Sequence, residues 1–245
     1  MAAEIQPVAI VTGAGSGIGR ATAIALAGAG MSVALVGRRE EALEQTVEMM
    51  PGGAETLCVG LDVSDPCSGE EMVASCVARF GRLDVLVNNA GVAPLLAIGA
   101  TDAATIQNVY MTNAVGPACA IGAAWRVFER QHRQGKVGRP SPCVVNVSTL
   151  GTADPFPGFF AYAGSKGSLN VMAQSCANEG KAIGVRAFAV APGAVETAML
   201  RAIFSEEVLP GAKCLTARRV AEEILACVVG ERDEQNGKTI FMRAE

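Results

Sequence analysis

Aromatic residues and histidine are scarce in this chain, which has one Trp, two Tyr, eight Phe and one His among 245 residues. The eight cysteines form no Cys-x-x-Cys pair, and His132 has no ligand partner near it in the sequence. The sequence therefore offers neither a zinc site nor a disulfide framework. We interpret the cysteines as buried apolar residues of a protein in a reducing compartment, and His132 as a solvated side chain in the charged stretch ERQHRQGKVGR.

An excess of positive charge is also missing. The formal net charge is −4 and the pI is about 5.2, and the only adjacent basic pairs are Arg38-Arg39 and Arg218-Arg219. A protein with this charge has no basic face for a phosphate backbone. We therefore expect no nucleic-acid partner.

Long apolar runs are absent as well. The longest charge-free stretch, residues 103–125, is interrupted by polar residues, a glycine and a proline, so it is too polar and broken to span a membrane. The N-terminus carries Glu4 where a signal peptide would carry positive charge. We expect a cytoplasmic protein that does not bind membranes.

Short β-rich runs alternate with longer helical patterns along the whole chain, and no linker or repeat divides them. This order predicts a single domain over residues 1–245 with an α/β Rossmann fold, a doubly wound seven-stranded parallel sheet with helices on both faces. The runs are nearly wholly apolar, as strands buried on both faces must be. We expect strands at residues 8–11, 33–36, 56–61, 85–87, 144–147, 185–190 and 239–241. We expect helices at residues 19–29, 40–50, 70–80, 102–130, 162–181 and 216–229.

A glycine-rich loop, TGAGSGIGR, follows the first predicted strand directly. Its glycines, at positions 13, 15, 17 and 19, allow a tight turn, and the helix that follows offers free N–H groups to a pyrophosphate. No Lys-Ser or Lys-Thr closes the motif, so a P-loop for nucleotide hydrolysis does not fit. The position of the loop favours a dinucleotide, although glycines also serve simple strand-to-helix turns.

The type of dinucleotide is decided at the end of the second strand, where the sequence reads VGRREEAL. An NAD site sets a carboxylate against the ribose there, about 20 residues after the glycines. Gly37 takes the place of that acid, and Arg38 follows with a guanidinium that suits a 2′-phosphate. We therefore expect NADP(H). NAD(H) is the alternative, if Arg38 is a surface residue and Glu40 or Glu41 turns toward the ribose.

Tyr162 and Lys166 stand four residues apart in the stretch AYAGSK, at the spacing of one helical turn. A free phenol has a pKa of about 10 and is a poor base at neutral pH, whereas a nearby ammonium favours the phenolate. The pair is either a reactive device or two polar side chains that share a helix face.

Four motifs, TGAGSGIG, NNAG, YAGSK and APGAVET, occur in this order, and together they resemble the single-domain branch of the short-chain dehydrogenase/reductase family. The resemblance implies that Tyr162 is the catalytic acid/base and Lys166 its partner. It also implies that Ser148 orients the substrate and that Asn113 holds a water in the proton relay. The residues themselves leave open whether Ser148 only bonds the backbone at a strand end, and whether a water or a neighbouring carbonyl satisfies Asn113.

The resemblance also implies a set of cofactor contacts placed after successive strands. They are Gly13, Ser16, Gly17, Ile18, Gly19, Arg38, Asp62, Val63, Asn89, Ala90, Gly91, Tyr162, Lys166, Pro192, Gly193, Val195 and Thr197. Asn88 is expected to brace the sheet rather than touch the cofactor. The likeness to 3-oxoacyl carrier-protein reductases is general, and no feature is dedicated to a thioester carrier.

The implied reaction is hydride transfer between a nicotinamide and a carbonyl or secondary alcohol of a small-molecule substrate, coupled to proton transfer through Tyr162, without a metal. A regulator that binds the dinucleotide while its catalytic residues are idle is a second hypothesis. The intact set of Ser148, Tyr162 and Lys166 argues against it. A methyltransferase that uses S-adenosylmethionine is a third, and Gly37 argues against it because an acid would be needed there.

Substrate identity is expected to depend on residues 150–162 and 196–215. Phe156, Phe159, Phe160 and Tyr162 crowd into the first of these stretches, as an apolar pocket wall or as packing over the sheet edge. They indicate a small or medium-sized apolar carbonyl and nothing narrower.

Two surface features complete the sequence-based expectations. The apolar stretch at residues 102–125 and the helix that holds Tyr162 need a cover, which the family supplies with further protomers, so we expect a homo-oligomer, a tetramer or a dimer. The charged connection at residues 130–142 is expected to be a surface excursion.

Overall fold

Nine strands form the β-structure of the chain, whose computed structural model describes residues 6–136 and 140–244. They are β1 Val8–Thr12, β2 Ser32–Gly37, β3 Thr56–Gly60, β4 Val85–Asn88, β5 Cys143–Val147, β6 Arg186–Pro192, β7 Val195–Glu196, β8 Leu215–Thr216 and β9 Thr239–Met242. Seven of them form one parallel sheet in the order β3-β2-β1-β4-β5-β6-β9, while β7 and β8 pair separately. The seven predicted strands are confirmed, with ends displaced by at most two residues.

Helices cover both faces of this sheet. They are α1 Gly17–Gly28, α2 Glu40–Glu48, α3 Ser68–Phe80, α4 Ala103–Tyr110, α5 Gly116–Arg133, α6 Phe160–Glu179, α7 Ala198–Arg201 and α8 Ala217–Val229. On one face α1 and α8 bury Leu26 and Ile224 against the strands. On the other face α3 and α5 bury Met72 and Phe128. The predicted α/β architecture with a doubly wound parallel sheet is confirmed.

The strand order reverses next to β1, which pairs with β2 on one side and with β4 on the other. The chain moves outward from β1 to β3 and then crosses back to β4. Loops that leave the carboxyl ends of β1 and β4 therefore diverge, and a crevice opens between them. The candidate site lies at this edge.

The single helix predicted at residues 102–130 is wrong in its middle. A π-helical turn, Met111–Val115, separates α4 from α5. Pro117 has no N–H to offer to the carbonyl of Asn113 four residues earlier, so a regular α-helical bond cannot form there. Gly116 also lies so close to the Val63 carbonyl that any Cβ would overlap with it. The widened turn fixes the position of Asn113.

The edges of the sheet depart from the expectation that all strands are buried on both faces. Strand β3 is only partly buried, because only β2 lies beside it. The pair formed by β7 and β8 and the short helix α7 were not predicted. Together they form a small layer above the carboxyl end of β6.

Cysteine burial follows the prediction only in part. Cys76, Cys143, Cys176 and Cys227 are buried, whereas Cys67 is exposed. Burial raises the pKa of the Cys176 thiol to about 11, because the thiolate is disfavoured away from water. The buried thiols therefore act as small apolar side chains.

The charged connection predicted at residues 130–142 is a surface excursion only in part. His132 and the residues that follow it up to 136 are exposed, whereas Gln131 and Pro142 are buried, and residues 137–139 lie outside the described part of the chain. Within residues 6–136 and 140–244, no helix combines the length and the apolar character needed to cross a membrane.

Candidate active site

The glycine loop joins the end of β1 to the start of α1. Gly13 has a φ of +67° and Gly17 a φ of +52°, a region that favours glycine. The N-cap residue of α1, Ser16, makes no side-chain capping bond, and the first turn holds no acidic residue. The N–H groups at this helix start are therefore available to a phosphate anion.

Asn89 braces the glycine loop from the neighbouring strand. Its Nδ2 donates to the Thr12 carbonyl at 2.8 Å, and its backbone N–H donates to Thr12 Oγ1 at 3.0 Å. Gly19 lies against the same group, and a Cβ there would overlap with the Gly13 carbonyl. Gly19 thus allows close packing behind the loop. It does not line the cavity described below, in contrast to the other predicted loop residues.

Arg38 lies at the carboxyl end of β2, beside Asp62. Its Nη1 is 3.9 Å from Asp62 Oδ2, and its side chain is 71% exposed. The pKa of Asp62 is lowered, first by the backbone N–H of Ser64 and also by the positive charge of Arg38. Arg38 is therefore held loosely, with its guanidinium open to solvent.

Ser148, Tyr162 and Lys166 meet where β5 ends and α6 begins. Lys166 is 3% exposed, and its Nζ donates to the Val147 carbonyl at 2.7 Å. Ser148 Oγ donates to the Lys166 carbonyl at 3.2 Å. Ser148 thus bonds the backbone and also lines the cavity, and its part in orienting a substrate stays a prediction.

Burial changes the acidity of both partners in the tyrosine–lysine pair. It lowers the pKa of Lys166 to about 8, because the ammonium loses its hydration. Burial also raises the pKa of Tyr162, and the nearby Thr149 hydroxyl offsets part of that change. The charge of Lys166 therefore gives no net lowering of the Tyr162 pKa in the protein alone. Its expected effect on the phenolate during the reaction stays a prediction.

Asn113 lies behind the wall of the site and is fully buried. Its Oδ1 accepts from the Val92 N–H at 2.8 Å, and its Nδ2 donates to the Val92 carbonyl at 2.9 Å and to Ser165 Oγ at 3.0 Å. A neighbouring carbonyl, one of the two partners that the sequence left open, is therefore present. Asn113 ties the loop after β4 to α6 without lining the cavity, and its part in a water relay stays a prediction.

The loop after β4 comes close to the buried amine. A Cβ on Gly91 would lie 3.1 Å from Asn113 Oδ1 and 3.2 Å from Lys166 Nζ, so a larger residue would crowd both groups. Asn88 has the bracing contact expected of it, because its Nδ2 donates to Asn146 Oδ1 at 2.9 Å.

An open cavity of about 850 Å³ connects these groups. Its volume lies in the range of about 300–1,000 Å³ that is typical of ligand pockets. Every predicted site residue lines it except Gly19 and Asn113. Arg39 and Thr149, which sequence reasoning missed, also line it, and both directly follow predicted residues and could have been found. Asp154, Leu200 and Phe204 line it from the two stretches that were expected to determine the substrate, although no motif singled them out there.

Comparison with known protein families identifies the family of the chain. The family model described as short chain dehydrogenase matches residues 7–208. The chain belongs to the short-chain dehydrogenase family. It is therefore an oxidoreductase that acts on CH–OH or C=O groups with a nicotinamide dinucleotide, as the sequence motifs indicated.

Known members of the family resemble the chain over most of its length. A short chain dehydrogenase of Pseudocercospora fijiensis is 35% identical over 77% of this chain and 60% of its own length. A diacetyl reductase of Staphylococcus epidermidis, which forms (S)-acetoin, is 32% identical over 82% of this chain and 76% of its own. The structure of a 3-ketoacyl-(acyl-carrier-protein) reductase from Brucella melitensis with NADH has a TM-score of 0.88 at 24% identity, covers 97% of each chain and shows the same fold.

The site of this short-chain dehydrogenase fits a dinucleotide. The uncapped start of α1 and the close backbone approach at Gly13 suit a pyrophosphate. The buried amine of Lys166 has one hydrogen-bond acceptor among the described residues, the Val147 carbonyl, and it faces the cavity. An ammonium has three N–H donors, so it can also bind hydroxyl groups of a ligand. No cluster of His, Cys, Asp and Glu suited to a metal ion occurs within the described residues.

The buried charge of Lys166 leads to a stability prediction. We expect Lys166→Met to raise the free energy of unfolding at pH 7 by about 1 to 2 kcal/mol. The variant no longer has an ammonium to desolvate, which stabilises it, and the loss of the hydrogen bond to the Val147 carbonyl offsets only part of this gain. The folded-state pKa of about 8 lies below the ordinary value of 10.5. Wild-type stability therefore rises with pH across this window, and the advantage of the variant shrinks as the pH rises above 8. Urea unfolding of both proteins between pH 7 and 10 measures this difference in the free energy of unfolding.

Lys181→Met serves as the matched control, because Lys181 is exposed and loses no hydration on folding. Its stability relative to wild type should not vary over the same pH range. A Lys166→Met variant that is less stable than wild type throughout pH 7 to 10 would show that the folded protein stabilises the ammonium.

Proposed function

We propose that this short-chain dehydrogenase reduces a ketone to a secondary alcohol, reversibly, and uses NADP(H) in preference to NAD(H). The observation that carries the proposal is the arrangement of the cavity. Ser148, Tyr162 and Lys166 stand at one part of it, and Arg38 and Arg39 line another part, at the end of β2.

The cofactor preference rests on which charges reach the cavity. Arg38 and Arg39 line it, whereas neither Glu40 nor Glu41 does. Glu40 instead lies over Gly60 on β3. Guanidinium groups at this place suit a 2′-phosphate, whereas a ribose 2′-hydroxyl is usually held by a carboxylate. The arrangement supports NADP(H) over the NAD(H) alternative.

The proposed proton donor is Tyr162. Its raised pKa keeps the phenol protonated at neutral pH, so it can give a proton to a carbonyl oxygen. The nicotinamide, when bound, supplies the hydride in reduction and accepts it in oxidation. Tyr162 is thus suited first to the reducing direction, and oxidation needs the phenolate, which burial disfavours.

Ser148 and Lys166 support this proton transfer. The Ser148 hydroxyl can turn from the Lys166 carbonyl toward a substrate oxygen and donate a second hydrogen bond as negative charge develops there. Lys166, with a pKa of about 8, can return a proton toward Tyr162 at neutral pH at small energetic cost. Asn113 holds the loop of Gly91 in place beside the lysine.

Two other functions are disfavoured by the same observations. A regulator with idle catalytic residues needs no buried lysine beside a phenol, since burial of that amine is costly. A methyltransferase would want an acid at the end of β2, where Gly37 and Arg38 line the cavity.

A homo-oligomer stays a prediction: Val171 and Phe160, on α6, are 62% and 53% exposed and are available to a second copy. The single domain and the cytoplasmic location also stay predictions.

The role of Tyr162 is tested by removing its hydroxyl. Tyr162→Phe should lower kcat by about 10²- to 10⁴-fold, because the proton donor is lost, and should change the Kd for NADPH by less than about twofold. Tyr110→Phe is the matched control, because Tyr110 is the other tyrosine of the chain and does not line the cavity. Steady-state ketone reduction and a fluorescence titration give the two values. Near-normal turnover by Tyr162→Phe would contradict the mechanism.

The cofactor preference is tested at Arg38. Arg38→Ala should raise the Kd for NADPH by about tenfold, because a charge-assisted hydrogen bond to the 2′-phosphate is lost, and should change the Kd for NADH by less than about twofold. Arg218→Ala is the control, since Arg218 is an exposed arginine of α8. If Arg38→Ala weakens both cofactors equally, the preference for NADP(H) is wrong.

A further inference from the structure

A row of aromatic rings extends from Tyr162 along the wall of the cavity. The ring centroids of Tyr162 and Phe159 are 5.1 Å apart, those of Phe159 and Phe156 are 4.4 Å apart, and those of Phe156 and Phe204 are 6.3 Å apart. All four residues line the cavity. We name Phe159, Phe156 and Phe204 the aromatic row. It joins the loop before α6 to the loop after α7, two segments that are far apart in sequence.

Aliphatic side chains continue this surface. Leu150, Met199, Leu200, Ile203, Val208 and Leu209 also line the cavity. Phe156 is 46% exposed and Met199 is 46% exposed, so the wall reaches the mouth of the cavity and apolar area stands open to solvent there. A ligand that covers this area removes it from water, and an aromatic ligand gains additional contacts with the rings.

An ion pair holds the far side of the aromatic row in place. Arg201 forms a salt bridge with Glu196, and its Nη1 donates to the Leu209 carbonyl at 2.8 Å and to the Phe204 carbonyl at 3.4 Å. The guanidinium therefore ties the loop after α7 to strand β7. Phe204 is thus positioned without a ligand, as expected for a preformed pocket.

The charges around the cavity are unevenly placed. Among the described residues, five charged side chains line it: Arg38, Arg39, Asp62, Asp154 and Lys166. The first three follow β2 and β3, and Lys166 is buried beneath Tyr162. Among these five, Asp154, which lies in sequence between Leu150 and Phe156, is nearest the aromatic row along the chain. Arg201 is paired with Glu196 and does not line the cavity, so the described residues that line this wall offer no cation to an anionic substrate.

We propose that the substrate is an uncharged ketone that carries an aromatic or cycloalkyl ring, or the corresponding secondary alcohol, and that the ring packs on the aromatic row. This inference rests on the proposed function, because it assigns the substrate class of the same site. It excludes ketones with a carboxylate, sulfonate or phosphate near the ring. It also separates this chain from a reductase of small diketones, whose substrates have no ring to cover the apolar wall.

A panel of three ketones tests the substrate class. Acetophenone is neutral with a ring, 4-acetylbenzoate has the ring and a carboxylate, and diacetyl is neutral without a ring. With NADPH in excess, kcat/KM for acetophenone should exceed that for diacetyl by about 30-fold, since ring burial adds favourable apolar contact. It should exceed that for 4-acetylbenzoate by at least about 100-fold, since a carboxylate is buried without a partner.

A variant links the preference to the aromatic row. Phe204→Ala should lower the ratio of kcat/KM for acetophenone to that for diacetyl by about tenfold. Phe160→Ala is the matched control, because Phe160 is adjacent in sequence to the aromatic row but does not line the cavity. It should leave the ratio within about twofold. An equal loss of the ratio in both variants would contradict the assignment of the ring to this wall.

Binding without turnover separates the two proposals. Calorimetry of acetophenone and 4-acetylbenzoate with the Tyr162→Phe variant and NADPH should show binding of the neutral ketone only. Ring binding without reduction of any ketone by wild type would overturn the proposed function and leave only the binding of the ring to the aromatic row. Reduction of diacetyl or 4-acetylbenzoate at least as well as acetophenone would overturn the substrate inference alone. The absence of both binding and turnover of acetophenone would also overturn the substrate inference.

Discussion

The hydrogen bond from Lys166 Nζ to the Val147 carbonyl, 2.7 Å long, is the contact on which the site depends. It joins the first turns of α6, which carry Tyr162, to the end of β5, which Ser148 follows. It also places an amine where water is nearly excluded, with the pKa lowered to about 8. In the protein without a ligand, the charged form of Lys166 is thus disfavoured by the loss of its hydration, as is common for ionisable groups in functional sites. Ligand hydroxyls at the free N–H donors would relieve it.

The residues around Lys166 that the structure describes hold its side chain in place but do not accept hydrogen bonds from its remaining N–H donors. Asn113 uses its amide on Val92 and Ser165, which fixes the loop after β4 and the helix that carries Lys166. Gly91 leaves room for the amine by having no side chain. Loss of hydration also raises the pKa of Tyr162. One arrangement therefore explains both a protonated phenol and a lysine that readily releases its proton.

Much of the fold, and much of the part of the cavity that is proposed to bind the cofactor, could be predicted from the sequence because these features are local. Apolar runs such as residues 85–87 mark buried strands, and glycines after β1 mark a loop of fixed geometry. The carboxyl ends of parallel strands meet at one edge, so Arg38 could be placed at the cavity from its position after β2, while the resemblance to the family implied others such as Pro192.

The remaining features depend on contacts between distant segments. The π-helical turn needed both Pro117 and the approach of Gly116 to the Val63 carbonyl, which no helical pattern reveals. Phe204 reaches the cavity because Arg201 binds two carbonyls of its loop. The raised pKa of Tyr162 was not predicted, because spacing along a helix does not report how far water is excluded.

The pKa of Lys166 is the most direct measure of this account. The chain has five lysines, so a protein with isotope-labelled lysine side chains should give few NMR signals, and comparison with Lys166→Met assigns the one of interest. The account predicts a titration near pH 8 in the protein without cofactor, as burial requires. A titration at the ordinary value of about 10.4 would show a solvated or well-paired ammonium and would contradict the account.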